Sequence, residues 1–115
     1  MPHVVRAGRA DLAAAWRNQP RGPWRWGNTV ARVEGCYLAP DGRALLVAGV
    51  VVEYGRPLHP VVCASFRGDH TTVHLWSHAT VERTEAVKRF LVQVALELTG
   101  FGAGEVVATN LAALV

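Results

Sequence analysis

A chain of 115 residues is one domain long, and with half of its residues hydrophobic and 18% charged it can bury a core of its own, which excludes a disordered tail or linker. Its longest unbroken apolar run, residues 44–52, is less than half of the ~20 residues that a membrane-crossing helix needs. Net charge is +3, but residues 1–33 hold six arginines against one acid, Asp11, and the remainder is slightly acidic.

In chain order, His3 to Ala7 reads as a short strand. Residues 9–17 predict a helix: alanines set the propensity, Asp11 suits the positive N-terminal end, and Leu12, Ala15 and Trp16 form one apolar stripe. Pro20, Gly22 and Pro23 end it, inside a stretch, Trp16 to Asn28 (WRNQPRGPWRWGN), that reads as a broken connection.

Thr29 to Leu38 is the next strand, and Pro40-Asp41-Gly42 turns it into residues 43–54, apolar on both faces until Glu53. That pattern predicts the central strand of the sheet, buried on both sides. Residues 59–66 predict a third member whose start Pro60 confines to an edge or entry position. Gly68-Asp69 then turns the chain into residues 70–77, with Val73 and Leu75 facing inward.

Residues 80–99 predict the long helix. Val87, Leu91, Val94 and Leu98 recur at helical spacing, Thr80 can cap the start, and Gly100 follows the last turn. Residues 105–109 read as a last strand, after which Asn110 would cap a helix of which only Leu-Ala-Ala-Leu-Val remains. The predicted class is α+β: a mostly antiparallel sheet of four to six strands, with a short N-terminal helix and one long helix (80–99) packed on it.

Several phrases resemble the GNAT superfamily of N-acetyltransferases. Val5-Arg6-Ala7 with Asp11-Leu12 is similar to the family's opening strand and helix, and residues 38–49 to its second and third strands. Residues 74–80 leading into the long helix are similar to its fourth strand and third helix, and Glu105 to Asn110 with Ala113 to its fifth strand and following asparagine. The resemblance implies an acetyl-CoA pyrophosphate held by a Gln/Arg-x-x-Gly-x-Gly/Ala turn at a helix N-terminus. Here residues 79–88 contain no glycine and place Glu82 and Glu85 where the anion would sit. The family's last helix and strands, with their general-acid tyrosine, have no counterpart, and residues 56–69 are extra. The resemblance therefore implies a shortened, non-acetylating copy, similar to proteins found among bacteriophage structural and assembly genes, with no cofactor.

Other constellations are weaker than they look. His70, His74 and His78 share one face of a strand, but successive members stand about 13 Å apart, too far to ligate one metal with bonds of ~2 Å. Cys36 and Cys63 lie in apolar runs without a leader before them, the pattern of unactivated, reduced thiols in a cytoplasmic protein. No catalytic residue and no metal ligand is assigned.

The candidate surface is the stretch that carries Arg17, Arg21, Trp24, Arg25 and Trp26. Guanidinium groups beside indoles suit a protein interface, where Trp and Arg are common anchors, and equally single-stranded nucleic acid. The alternative is that both indoles close over the sheet with the arginines outside. The expectation is a protein that binds rather than catalyses, as a homodimer or with a protein partner, used in assembly or as an accessory factor. A small nucleic-acid-binding module stands second and an acyl-CoA-dependent acetyltransferase third.

Overall fold

The computed structural model describes residues 1–115. Its elements are β1 (His3–Ala7), α1 (Leu12–Asn18), β2 (Trp24–Trp26), β3 (Thr29–Leu38), β4 (Ala44–Glu53), β5 (Arg56–Leu58), β6 (Val61–Arg67), β7 (His70–Leu75), α2 (Glu85–Glu97) with a turn of 3-10 helix over Leu98–Phe101, and β8 (Val106–Thr109).

The sheet has eight strands, which corrects the expected four to six. Seven follow the order β2-β3-β4-β6-β7-β1-β8, every pairing is antiparallel, and β5 adds to the end of β4. The two unforeseen strands have local causes. β2 lies in the stretch read as a connection: Gly27-Asn28 forms a two-residue turn with Gly27 at φ 59°, so Trp26 can pair with Thr29. β5 and β6 are one hairpin arm in continuous register with β4, interrupted where Pro60 offers no N–H to the ladder.

β4 is an interior strand, third of the seven in sheet order with β6 in the middle, and it is not buried on both sides. Leu45, Val47, Gly49 and Val51 are buried, whereas Ala44, Leu46, Ala48, Val50 and Val52 are only half-buried. Both helices pack on the first of these faces, so a strand that is apolar all round is covered once. The core runs between that face and α2, where Val87, Phe90, Leu91, Val94 and Leu98 are fully enclosed.

The helix limits also move. α2 begins at Glu85 rather than at 80, because Thr84, not Thr80, accepts the Val87 N–H at 3.2 Å as the N-cap. Its end continues through the 3-10 turn to Gly102, whose φ of 94° is one that only glycine adopts without strain. Residues 111–115 form a turn, not a helix, as expected of five residues, too few to offset the cost of helix nucleation. Asp11 caps α1 through the Ala14 N–H at 3.0 Å, and Leu12 and Ala15 are buried, but Trp16 is 44% exposed.

Arg6, on the core face of β1, is only 4% exposed. Its guanidinium donates to the carbonyls of Gly104 (2.6 Å), Ala95 (2.6 Å) and Ala103 (3.4 Å), and to the Thr99 hydroxyl (2.8 Å). Placed at the C-terminal end of α2, the cation meets carbonyls left without helical partners and ties β1 to the return loop.

Candidate functional site

The arginine and tryptophan stretch is divided by the pleat of β2. Trp24 pairs with Ala31 and Trp26 with Thr29, both buried positions, so the two indoles turn to the core face while Arg25 points to the opposite face beside Val30. Trp24 and Trp26 are half-buried, and the Trp24 ring meets Phe90 at a centroid distance of 6.5 Å and a tilt of 59°. Arg17, Arg21 and Arg25 are exposed. The Arg21 carbonyl accepts the Val33 N–H at 2.8 Å, extending the β2 edge. The structure thus separates the residues that the sequence groups: the indoles close the mouth of the core, and the guanidinium groups lie outside. Trp16 makes a different contact, donating from Nε1 to the Cys36 carbonyl at 3.1 Å.

The face of the sheet away from the helices is the larger feature, and its residues were not among the candidates named from the sequence. Its signal was the double-sided apolar pattern of β4. Across it lie Val30, Val50 and Val52 at one end, and Ala44, Leu46, Val61, Cys63, Trp76 and Tyr37 at the other. Tyr37, Leu46, Cys63 and Trp76 help to line an entirely apolar hollow of about 280 Å³, and Tyr37 is 62% exposed. The β3 register shifts between Val33 and Gly35, and this bulge carries Glu34 outward. Its carboxylate meets His59 Nδ1 at 3.3 Å.

The loop before α2 arranges its charges locally. Arg56 forms an ion pair with Glu82, and Glu85 stands in the first helical turn with Arg89 at 3.9 Å. The Thr84 hydroxyl accepts one helix N–H, and the two carboxylates near the helix start, Glu82 and Glu85, are each matched by an arginine. Beside it a polar hollow of about 510 Å³ is lined by Trp26, Asn28, Glu53, Tyr54, Glu85 and Arg89, among others.

Cys63 is buried and Cys36 half-buried, and both are free. Burial pushes both thiols above the ordinary value, offset in part by Arg21 at Cys36 and by a hydrogen bond with Ser65 at Cys63. Neither has the electropositive, accessible surroundings of an activated nucleophile. His70 and His74 share the open face of β7, while His78 lies beyond the strand and packs edge-on against Trp76, with ring centroids 5.2 Å apart. No group of three or more His, Cys, Asp or Glu side chains is placed to hold a metal ion. No helix is long and apolar enough to cross a membrane. Comparison with protein-family models, with curated proteins and with solved structures finds no match to this chain.

Proposed function

We propose that this protein is a non-catalytic binding and assembly protein that works through the open face of its sheet, and that the occupant of this face is a second copy of the chain. The observation that carries the reading is the half-covered β4: five apolar side chains on one of its faces lie under no helix. Contiguous apolar surface of this kind marks an interaction site.

Area and charge favour a second copy. Strands of ten residues rise about 33 Å, and β3, β4 and the β5–β6 arm with their side chains span roughly 15–20 Å, giving a projected patch on the order of 500–600 Å². Side-chain relief raises this toward the ~800 Å² per partner of a standard interface. The patch also carries both signs, Arg25 and Arg32 near one end and Glu34 at its middle, so a two-fold copy can set arginine against glutamate.

Light scattering at micromolar concentration tests this directly. The expected result is a dimer that Val50→Arg or Leu46→Arg converts to a folded monomer, with far-UV circular dichroism unchanged. A wild-type monomer under the same conditions would overturn the reading.

The exposed Arg17, Arg21 and Arg25 leave single-stranded nucleic acid as the second reading; it requires salt-sensitive binding that falls when Arg21 and Arg25 are replaced. In the preferred reading the acetyltransferase-like phrases belong to a reduced, non-acetylating copy, and millimolar acetyl-CoA leaves the melting temperature unchanged.

A further inference from the structure

The open face has a second region with different chemistry. On β1, β6 and β7, the side chains of His3, Val5, Arg67, His70, Thr72 and His74, with Met1 at the rim, line a cleft of about 330 Å³. The register explains the grouping. His3 lies opposite His74, Val5 opposite Thr72, and Arg67 opposite His70, so three strands bring three imidazoles and a guanidinium to one surface. No carboxylate lines this cleft; the nearest acid in sequence, Asp69, sits in the β6–β7 turn, and the other ionisable groups of the surrounding residues are the Cys63 thiol, opposite His74, and the N-terminal amine of Met1 at the rim.

Two of the imidazoles are held in a defined state. His74 Nδ1 meets the Leu75 carbonyl at 2.8 Å, and His3 Nδ1 meets the Met1 carbonyl at 3.0 Å. A carbonyl only accepts, so each Nδ1 carries its hydrogen, and Nε2 is left for solvent or a ligand. Asn110 steadies the His3 end, accepting the His3 N–H at 3.0 Å and donating to the Met1 carbonyl at 2.8 Å. Between His70 and His74 along β7, the Thr72 hydroxyl is buried and has no hydrogen-bond partner in the protein.

We infer that this cleft binds a small phosphate-bearing anion, and that binding takes up protons. With Nδ1–H committed to a carbonyl, a neutral ring presents a lone pair at Nε2, which repels phosphate oxygens; only the imidazolium donates there. Protonation of the rings therefore strengthens binding, and affinity is higher at lower pH. Arg67 supplies a charge that does not titrate, in the planar form suited to phosphate. The same Arg67 disfavours a divalent cation, for which two unprotonated Nε2 atoms would otherwise be attractive.

The volume fits a small phosphate ester at the lower end of ligand-site sizes. The cleft borders the apolar patch along β6, where Cys63 lies opposite His74. Three strand steps of about 20–25° divide β4 from β1, which turns the β1 side of the cleft by roughly 60–75° away from β4.

The test uses the full chain labelled for histidine ring NMR, with inorganic phosphate, glucose 6-phosphate and glucose as probes at pH 6 and pH 8. Both phosphates should shift the His3, His70 and His74 signals at pH 6 but not that of His78, and binding should weaken about tenfold or more by pH 8. Arg67→Gln and His74→Gln should each weaken it about tenfold at pH 6, with light scattering and melting temperature unchanged, whereas His78→Gln should have no effect. Loss of the dimer with phosphate binding intact would sink the assembly reading alone. Equal shifts with glucose, affinity indifferent to pH, binding only to phosphatidic acid vesicles, or zinc displacing the same signals where phosphate does not would overturn this inference.

Discussion

The ring of Phe90 lies against the backbone of Gly49. A Cβ built on Gly49 would come within 2.8 Å of the ring's Cε1 and Cε2 and closer still to Cζ. Gly49 of β4 is thus a socket for the largest fully buried side chain of α2. Gly49→Ala should lose about 1–3 kcal/mol through overpacking, and Phe90→Leu in the same chain should recover part of that loss. Urea denaturation of the two single variants and the double variant measures the coupling; strictly additive losses would show that the two positions do not share this contact.

Arg6 should matter more to stability than any other charged residue. Replacing it with methionine leaves the buried carbonyl of Ala95 and the part-buried carbonyl of Gly104 without their donor, and hydrogen bonds to a charged group contribute about 1.5–3 kcal/mol each. A total loss on the order of 3 kcal/mol is expected. Arg6→Lys should recover only part of it, because one ammonium cannot reach acceptors arranged around a planar fork. An Arg6→Met protein as stable as wild type in urea would refute this role.

Trp24 and the neighbouring arginines should behave oppositely. Trp24→Ala uncovers Phe90 at the mouth of the core and is expected to lower stability by about 2–4 kcal/mol, somewhat below the cost at a fully buried site. Arg21→Ala and Arg25→Ala, both at exposed positions, should stay within about 0.5 kcal/mol. Thermal unfolding of the three variants distinguishes an indole that closes the core from one that is displayed for a ligand.

The cysteines predict the alkaline side of the stability profile. Burial raises both thiols above 9.0 in the folded chain, so the unfolded chain loses these protons first. The stabilisation from keeping them protonated is complete below pH 9.0 and is lost as pH rises through the higher folded values. Above pH 9.0 wild type should therefore lose stability with rising pH faster than a Cys36→Ala, Cys63→Ala variant. Parallel urea midpoints across that range would contradict it.

Much of the fold could be read locally. Short apolar and β-branched runs between turn signals located β1, β3, β4 and β7 to within about two residues, β4 as a run apolar on both faces, since a strand's pattern is written in its own side chains. Trp24-Arg25-Trp26 was harder, because three residues make too short a pattern to stand out from a proline- and glycine-rich connection. Thr80 and Thr84 both offer a capping hydroxyl, and only the backbone extended at Thr84 selects between them.

Composition and order along the chain determined that this protein has one core, a strand-rich body and a long amphipathic helix near its end. What they did not determine is which face of a doubly apolar strand would be covered. α1 and α2 both landed on the Leu45 and Val51 side, leaving Leu46 and Val50 open, and the same choice exposed His3 and His74 as neighbours 71 positions apart in sequence. Cross-strand register decides such meetings. It depends on turns and crossovers far from the residues that meet, so no local pattern in the chain encodes it.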